Sequence, residues 1–157
     1  MPVVRLYSGR HTGERDTRSG DADERDTGEV SVRIVRLGST RAPGEGLRIG
    51  TVRRPPRGVR REDFARLDWF DVWLPLLAPS AEEVRRALDA ETEADWQRFA
   101  RRYRKAMSQP DARHVLATLA ALSHRTHFSV GCYCADETRC HRSLLRDILR
   151  EHGARLG

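Results

Sequence analysis

Long apolar runs are missing from this chain of 157 residues: no stretch approaches the roughly 18 residues that a membrane-spanning helix needs. A signal-peptide core is missing too, because Met1-Pro2-Val3-Val4-Arg5-Leu6-Tyr7 passes straight into polar chain. A cytoplasmic protein without membrane contact is therefore expected. Lysine is almost absent, since 28 of the 29 basic side chains are arginine and Lys105 stands alone. A replacement this uniform reflects a GC-rich coding sequence more than a function, so only local arginine clusters count as anion-binding evidence. Aromatic residues make up 6% of the chain and cysteines number three. So few rings leave little for stacking on nucleic-acid bases.

What is present is charge. The 29 basic and 23 acidic residues give a net charge of +6, and 33% of the chain is charged. Residues 1 to 39 hold seven arginines and seven acids, so the whole excess falls in the remainder. From Ser8 to Gly28 only Ala22 is apolar. Such a segment cannot bury enough surface to offset its ordering entropy. Residues 1–29 are therefore expected to form a flexible polar arm, and residues 30–157 a single folded domain.

Val30, Val32 and Ile34 alternate with Ser31, Arg33 and Val35, which predicts a half-buried strand. Leu47 to Val52 is a second strand, leading into Arg53-Arg54-Pro55-Pro56-Arg57-Gly58, where two prolines forbid helix. Trp69 to Leu74 reads as strand or irregular core. Helices follow: Ser80 with Glu83 forms a capping box for a helix over 81–90, and Thr92 with Asp95 starts the next. Trp96, Phe99, Tyr103 and Met107 share one face as a core stripe. Pro110 stops that helix and Asp111 caps a third, whose buried side is Val115, Leu116, Leu119 and Leu122. His114 and His124, on or beside it, are expected to be structural or exposed. Thr126 to Cys132 is a buried strand, and Leu144, Leu145, Ile148 and Leu149 give a final helix its apolar face, with Gly153 as its stop.

All three cysteines fall between that strand and that helix, in Gly131-Cys132-Tyr133-Cys134-Ala135-Asp136-Glu137-Thr138-Arg139-Cys140-His141-Arg142. Ligands of open α/β sheets bind in such a strand-to-helix crevice. A helix N-terminus with cationic neighbours lowers a thiol pKa from its free value of about 8.5, which makes Cys140 the candidate nucleophile. His141 and Arg142 are the cationic candidates, although on a helix His141 would point about 100° away from Cys140. The acid–base partner is then His141, His127 or a residue of another loop. The same residues admit other readings. Cys132, Cys134, Cys140 and His141 are all legitimate zinc ligands, though without paired C-x2-C knuckles. A redox-active pair of cysteines, or cysteines acting as small buried hydrophobes, also fits. Cys140 to Arg146 has the C-x5-R spacing of cysteine phosphatases, but His-Arg-Ser-Leu-Leu contains no glycine to shape a phosphate loop.

The C-x7-C-H-R segment resembles the domain of unknown function 488 family, the YeaO-like proteins. Gly46-Leu47-Arg48-Ile49, then Arg53 with Pro56-Arg57-Gly58-Val59, Leu77-Ala78-Pro79-Ser80 and Trp96-x2-Phe99-x3-Tyr103 are similar to its upstream and middle motifs, in order, over about residues 30–152. Val52, Ala106 and Cys134 depart from the family, standing where relatives often carry aspartate, glutamate and glutamate. The resemblance implies a three-layer α/β domain with a small, mainly parallel sheet flanked by helices, and it leaves activity open. It singles out Arg53 and Arg57 over Arg60, Arg61, Arg101 and Arg102, which are expected on solvated faces.

The leading expectation is thus an anion pocket made by Arg53, Arg57 and Arg142 beside Cys132 and Cys140. A phosphorylated or nucleotide-like small molecule would react there with Cys140, assisted by His141. A zinc- or iron-binding module through the cysteine cluster and a nucleic-acid-binding module using the same arginines are the alternatives. No particular cofactor or oligomeric state follows from the sequence.

Overall fold

The computed structural model describes residues 29–157. The expected arm over 1–29 lies outside the described residues, apart from Glu29. Four strands, β1 (Val32–Arg36), β2 (Leu47–Gly50), β3 (Val72–Trp73) and β4 (Phe128–Cys132), form one sheet in the order β1-β4-β2-β3, with every pairing parallel. The helices are α1 (Ala81–Leu88), α2 (Glu93–Met107), α3 (Pro110–Leu122) and α4 (His141–Glu151). The fold is α/β, as expected. No helix among the described residues is long and apolar enough to cross a membrane.

Side-chain alternation along the central strand divides the molecule. Phe128 and Val130 point into a core with Val32 and Ile49, closed by Phe99, Tyr103 and Met107 of α2, Leu116 and Leu119 of α3, and Leu145, Ile148 and Leu149 of α4. The opposite face carries Ser129 and Gly131, and the third layer that covers it holds no α-helix, only the short 3-10 turn Arg61–Asp63. It is made by the chain on either side of β2, from Leu37 to Gly46 and from Arg60 to Phe70. This layer closes around a fully buried Arg48 and, beside it, a small apolar cluster that includes Leu37, Phe64 and Phe70. Arg48 Nε donates to Glu45 Oε1 at 2.7 Å, and its Nη1 donates to the Ser39 and Asp68 carbonyls at 2.8 and 2.7 Å. The Ser129 hydroxyl donates to the same Glu45 oxygen at 2.7 Å. Gly131 allows β1 to come close, since a Cβ there would lie 2.7 Å from the Val35 carbonyl oxygen.

Most helix boundaries follow their signals, with three corrections. Pro110 opens α3 as its first residue, where its missing N–H costs nothing, so Asp111 lies inside the first turn and Gln109 is the N-cap. Ser80 accepts from the Glu83 N–H at 3.2 Å, but Glu83 does not reciprocate; its carboxylate takes Arg86 and Arg102 instead. The complete capping box is at Thr92 and Asp95. Leu122 is 42% exposed, and Ala112 and Ala120 complete the buried side of α3 in its place. The core stripe of α2 is as expected, with Trp96 half-buried at its end. Because all strands are parallel, the carboxyl ends of β1, β2 and β4 meet at one edge of the sheet, where the loop into α4 also lies.

Candidate functional site

Cys132 ends β4 and Cys140 is the N-cap residue of α4, so the crossover brings the two together against the carboxyl end of β2. The sulfurs of Cys132 and Cys140 and the nearest His141 ring nitrogen all lie within 4.8 Å of one another, close enough to hold a metal ion. All three cysteines are free thiols. Cys132 and Cys140 are buried, whereas Cys134 is exposed, and the Cys132 S–H reaches the Cys134 sulfur at 3.7 Å.

His141 is held by one strong bond. Its Nε2 lies 2.7 Å from the backbone carbonyl of Thr51, just past β2. A carbonyl only accepts, so Nε2 carries the proton and Nδ1 is left with its lone pair. That lone pair faces the Cys140 thiol at 3.8 Å. The 100° separation expected on a helix does not apply, because Cys140 has extended backbone angles (φ −126°, ψ 147°) and lies outside the helical wheel. Burial lowers the His141 pKa to about 4, so the ring is neutral.

The thiols divide unequally. The Cys132 S–H and the neighbouring Cys140 thiol lower the Cys134 thiol well below its ordinary range, and the charge of Arg142 adds to this. Cys140 is raised by the neighbouring Cys132 and Cys134 thiols, with burial contributing, and Cys132 is raised by its bond with Cys134. Ionisation is therefore favoured at Cys134 over Cys140. Position at a helix start alone suggested the reverse.

The three thiols open on a cavity of about 420 Å³ whose walls include Val52, Val84, Leu88 and Phe99. Its other lining residues include four arginines, Arg53, Arg54, Arg85 and Arg139, and among the described residues no carboxylate lines it. Of the three arginines singled out by sequence, Arg53 is one of these. Its guanidinium is committed to the carbonyls of Pro79, Pro75 and Ala78 at 2.9, 3.1 and 3.2 Å. Arg142 is buried and donates to the Cys134 carbonyl at 2.7 Å, fixing the loop that carries this thiol. Its Nε is buried without a partner. Arg57 lines a different cavity. Arg54, Arg85 and Arg139 were not picked out from sequence. Arg139 could have been noticed within the cysteine segment, where it reaches Glu93 at 2.7 Å and lies over the Trp96 ring. Only tertiary structure brings Arg85 of α1 to the site.

Other candidates fall elsewhere. His127 precedes β4, so a strand of five residues, about 16 Å, separates it from Cys132, and it is no partner for the thiols. His124 bonds the Gly153 carbonyl at 2.8 Å and His114 is exposed. Residues 141–151 are helical and Arg146 pairs with Glu137, so the C-x5-R spacing does not form a phosphate loop. No curated protein and no solved structure matches the chain. The family model DUF488-N3a, described as the active DUF488-N3 subclade, matches residues 32–153, which spans every element that builds this site. The chain belongs to the DUF488 family.

Proposed function

We propose that the cysteine cavity is the active site of a thiol-dependent enzyme acting on an anionic, phosphorylated or nucleotide-like small molecule. The observation that carries this is the relay Cys140 Sγ to His141 Nδ1 to Thr51 carbonyl, at 3.8 and 2.7 Å, at the wall of a cavity ringed by arginines. A nucleophile within reach of a base that a third group orients is the usual arrangement of covalent catalysis. An anionic molecule bound beside the ring would restore the basicity that burial takes from His141, and the Cys140 proton would then pass to Nδ1 as the sulfur bonds the electrophilic centre. The bond to the leaving group then breaks, and the Nδ1 proton accompanies it. Arg54 and Arg85 would attract the anionic end, and the apolar wall would take the rest of the molecule. A reducing cytoplasm suits the free thiols.

The test is a panel of nucleotides and sugar phosphates, with turnover followed by chromatography and adducts on Cys140 by mass spectrometry. Turnover or an adduct that disappears in Cys140→Ser and falls at least about 100-fold in His141→Asn supports the reading. Unchanged turnover and ligand affinity in Cys140→Ser overturns it.

A second reading rests on the proximity of Cys132, Cys140 and His141. These three would hold a zinc or iron ion through two sulfurs and Nδ1. Cys134 is available as a fourth ligand, and the Thr51 carbonyl would orient the imidazole from outside. About one metal per purified chain, lost in Cys132→Ala, would favour this reading over the nucleophile.

A further inference from the structure

A second cavity, of about 850 Å³, adjoins the first, with Arg54 and Tyr133 lining both. Arg36, Arg54 and Arg57 supply its positive charge, and no acidic residue among the described residues lines it. Many other surface arginines are paired, such as Arg41 with Asp71 at 2.7 Å, Arg66 with Asp63 at 3.0 Å and Arg104 with Glu151 at 3.0 Å. Others left unpaired among the described residues, such as Arg33, Arg101 and Arg113, line neither cavity. Among the described residues, Arg36, Arg54 and Arg57 have no carboxylate within ion-pair distance.

Between these arginines lie two aromatic rings, Trp69 and Tyr133, set edge to face with centroids 5.7 Å apart. Both are half-buried, so each ring is anchored and still borders the cavity. Gly38 makes room for Trp69: a Cβ there would lie 2.8 Å from the indole, and φ is +87°. Tyr133 is fixed at both ends, its hydroxyl donating to the Arg54 carbonyl at 2.9 Å and its own carbonyl accepting from Arg36 Nε at 3.3 Å. Pro55 and Pro56 stiffen the remaining wall. Unpaired arginines interleaved with anchored rings are what a polyanion bearing flat bases requires.

We propose that this groove binds single-stranded nucleic acid, phosphates on Arg36, Arg54 and Arg57 and bases on Trp69 and Tyr133. Because Arg54 and Tyr133 also line the cysteine cavity, the neighbouring nucleotide is delivered to the thiols. That last step rests on the thiol reading above, whereas binding in the groove stands without it.

The experiment is fluorescence anisotropy of the full chain with fluorescein-labelled 12-mers of thymidine and of uridine, titrated across salt concentration. Binding of either strand, with a slope of log affinity on log salt of about −2, is the expected result for three phosphate contacts. Arg57→Ala, at an exposed site, should bring the slope to about −1.4, and Tyr133→Leu should weaken binding at least about fivefold. A hairpin duplex should bind more weakly than either strand. No binding at low salt, an unchanged slope in Arg57→Ala, or equal affinity for duplex overturns the inference. Binding of thymidine monophosphate without either 12-mer also overturns it, while leaving the thiol reading intact. Strand binding by a protein whose Cys140→Ser variant keeps all turnover supports the groove and removes the thiol reading.

Discussion

Cys140 and His141 are neighbours in sequence, and their side chains meet at 3.8 Å because one lies just outside α4 and the other just inside it. The bond from His141 Nε2 to the Thr51 carbonyl then decides which nitrogen faces the thiol. Backbone conformation at a helix boundary has built a pair that a helix interior would hold apart.

Cys134 should be the thiol that reacts first. Its pKa is lowered by the Cys132 S–H and the neighbouring Cys140 thiol, while theirs are raised. Iodoacetamide labelling followed by peptide mass spectrometry should find Cys134 modified at pH 6, well below the free thiol pKa of about 8.5, with Cys140 unmodified. Cys132→Ala, which removes the donor, should shift the pH of half-maximal labelling upward. Equal labelling of all three cysteines at pH 6 would contradict the division of charge.

Arg53 should act through position. With three carbonyls on its guanidinium, Arg53→Ala leaves those acceptors without their partner and should cost about 2 kcal/mol of stability, read from urea unfolding. Arg53→Lys should recover only part, since an ammonium cannot span the same fork. An unchanged unfolding midpoint in Arg53→Ala would return this side chain to the substrate-binding set.

Glu45 should govern acid stability. Burial alone would raise its pKa, but bonds from Arg48, Ser129 and the Ala42 N–H outweigh that and lower it from 4.5 to about 2. A carboxylate with a depressed folded pKa contributes its full stability above the unfolded value. That contribution is lost as pH falls from about 4.5 towards 2. Glu45→Ala strands the buried Arg48 and should cost about 3–5 kcal/mol at pH 7. Its stability should then vary less than that of the native chain between pH 5 and pH 2, as measured by circular dichroism melts.

Gly131 should not tolerate a side chain. A Cβ would meet the Val35 carbonyl at 2.7 Å on the neighbouring strand, and backbone cannot move aside as a flexible side chain can. Gly131→Ala should lower the melting temperature and loosen the site at Cys132, which follows directly in the chain. A native melting temperature would show that β1 and β4 can separate.

Local sequence patterns alone determine much of this molecule. The spacing of Trp96, Phe99, Tyr103 and Met107 sets the buried face of α2, alternation sets β1, and a cysteine segment between a buried strand and an amphipathic helix marks the site. These follow from periods of 2 and 3.6 residues, which sequence carries directly. The family motifs placed Arg53 near the site as well. Tertiary structure alone decided which arginines face the thiols, because Arg54, Arg85 and Arg139 come from three separate segments. It also sent Arg57 to the neighbouring cavity and turned Arg53 and Arg142 onto carbonyl groups. Arg48, buried without exposure at the second residue of β2, gave no sign of its role in sequence. A guanidinium is long enough to serve solvent, carbonyl or carboxylate from one backbone position, and its partner is chosen only when distant chain packs around it.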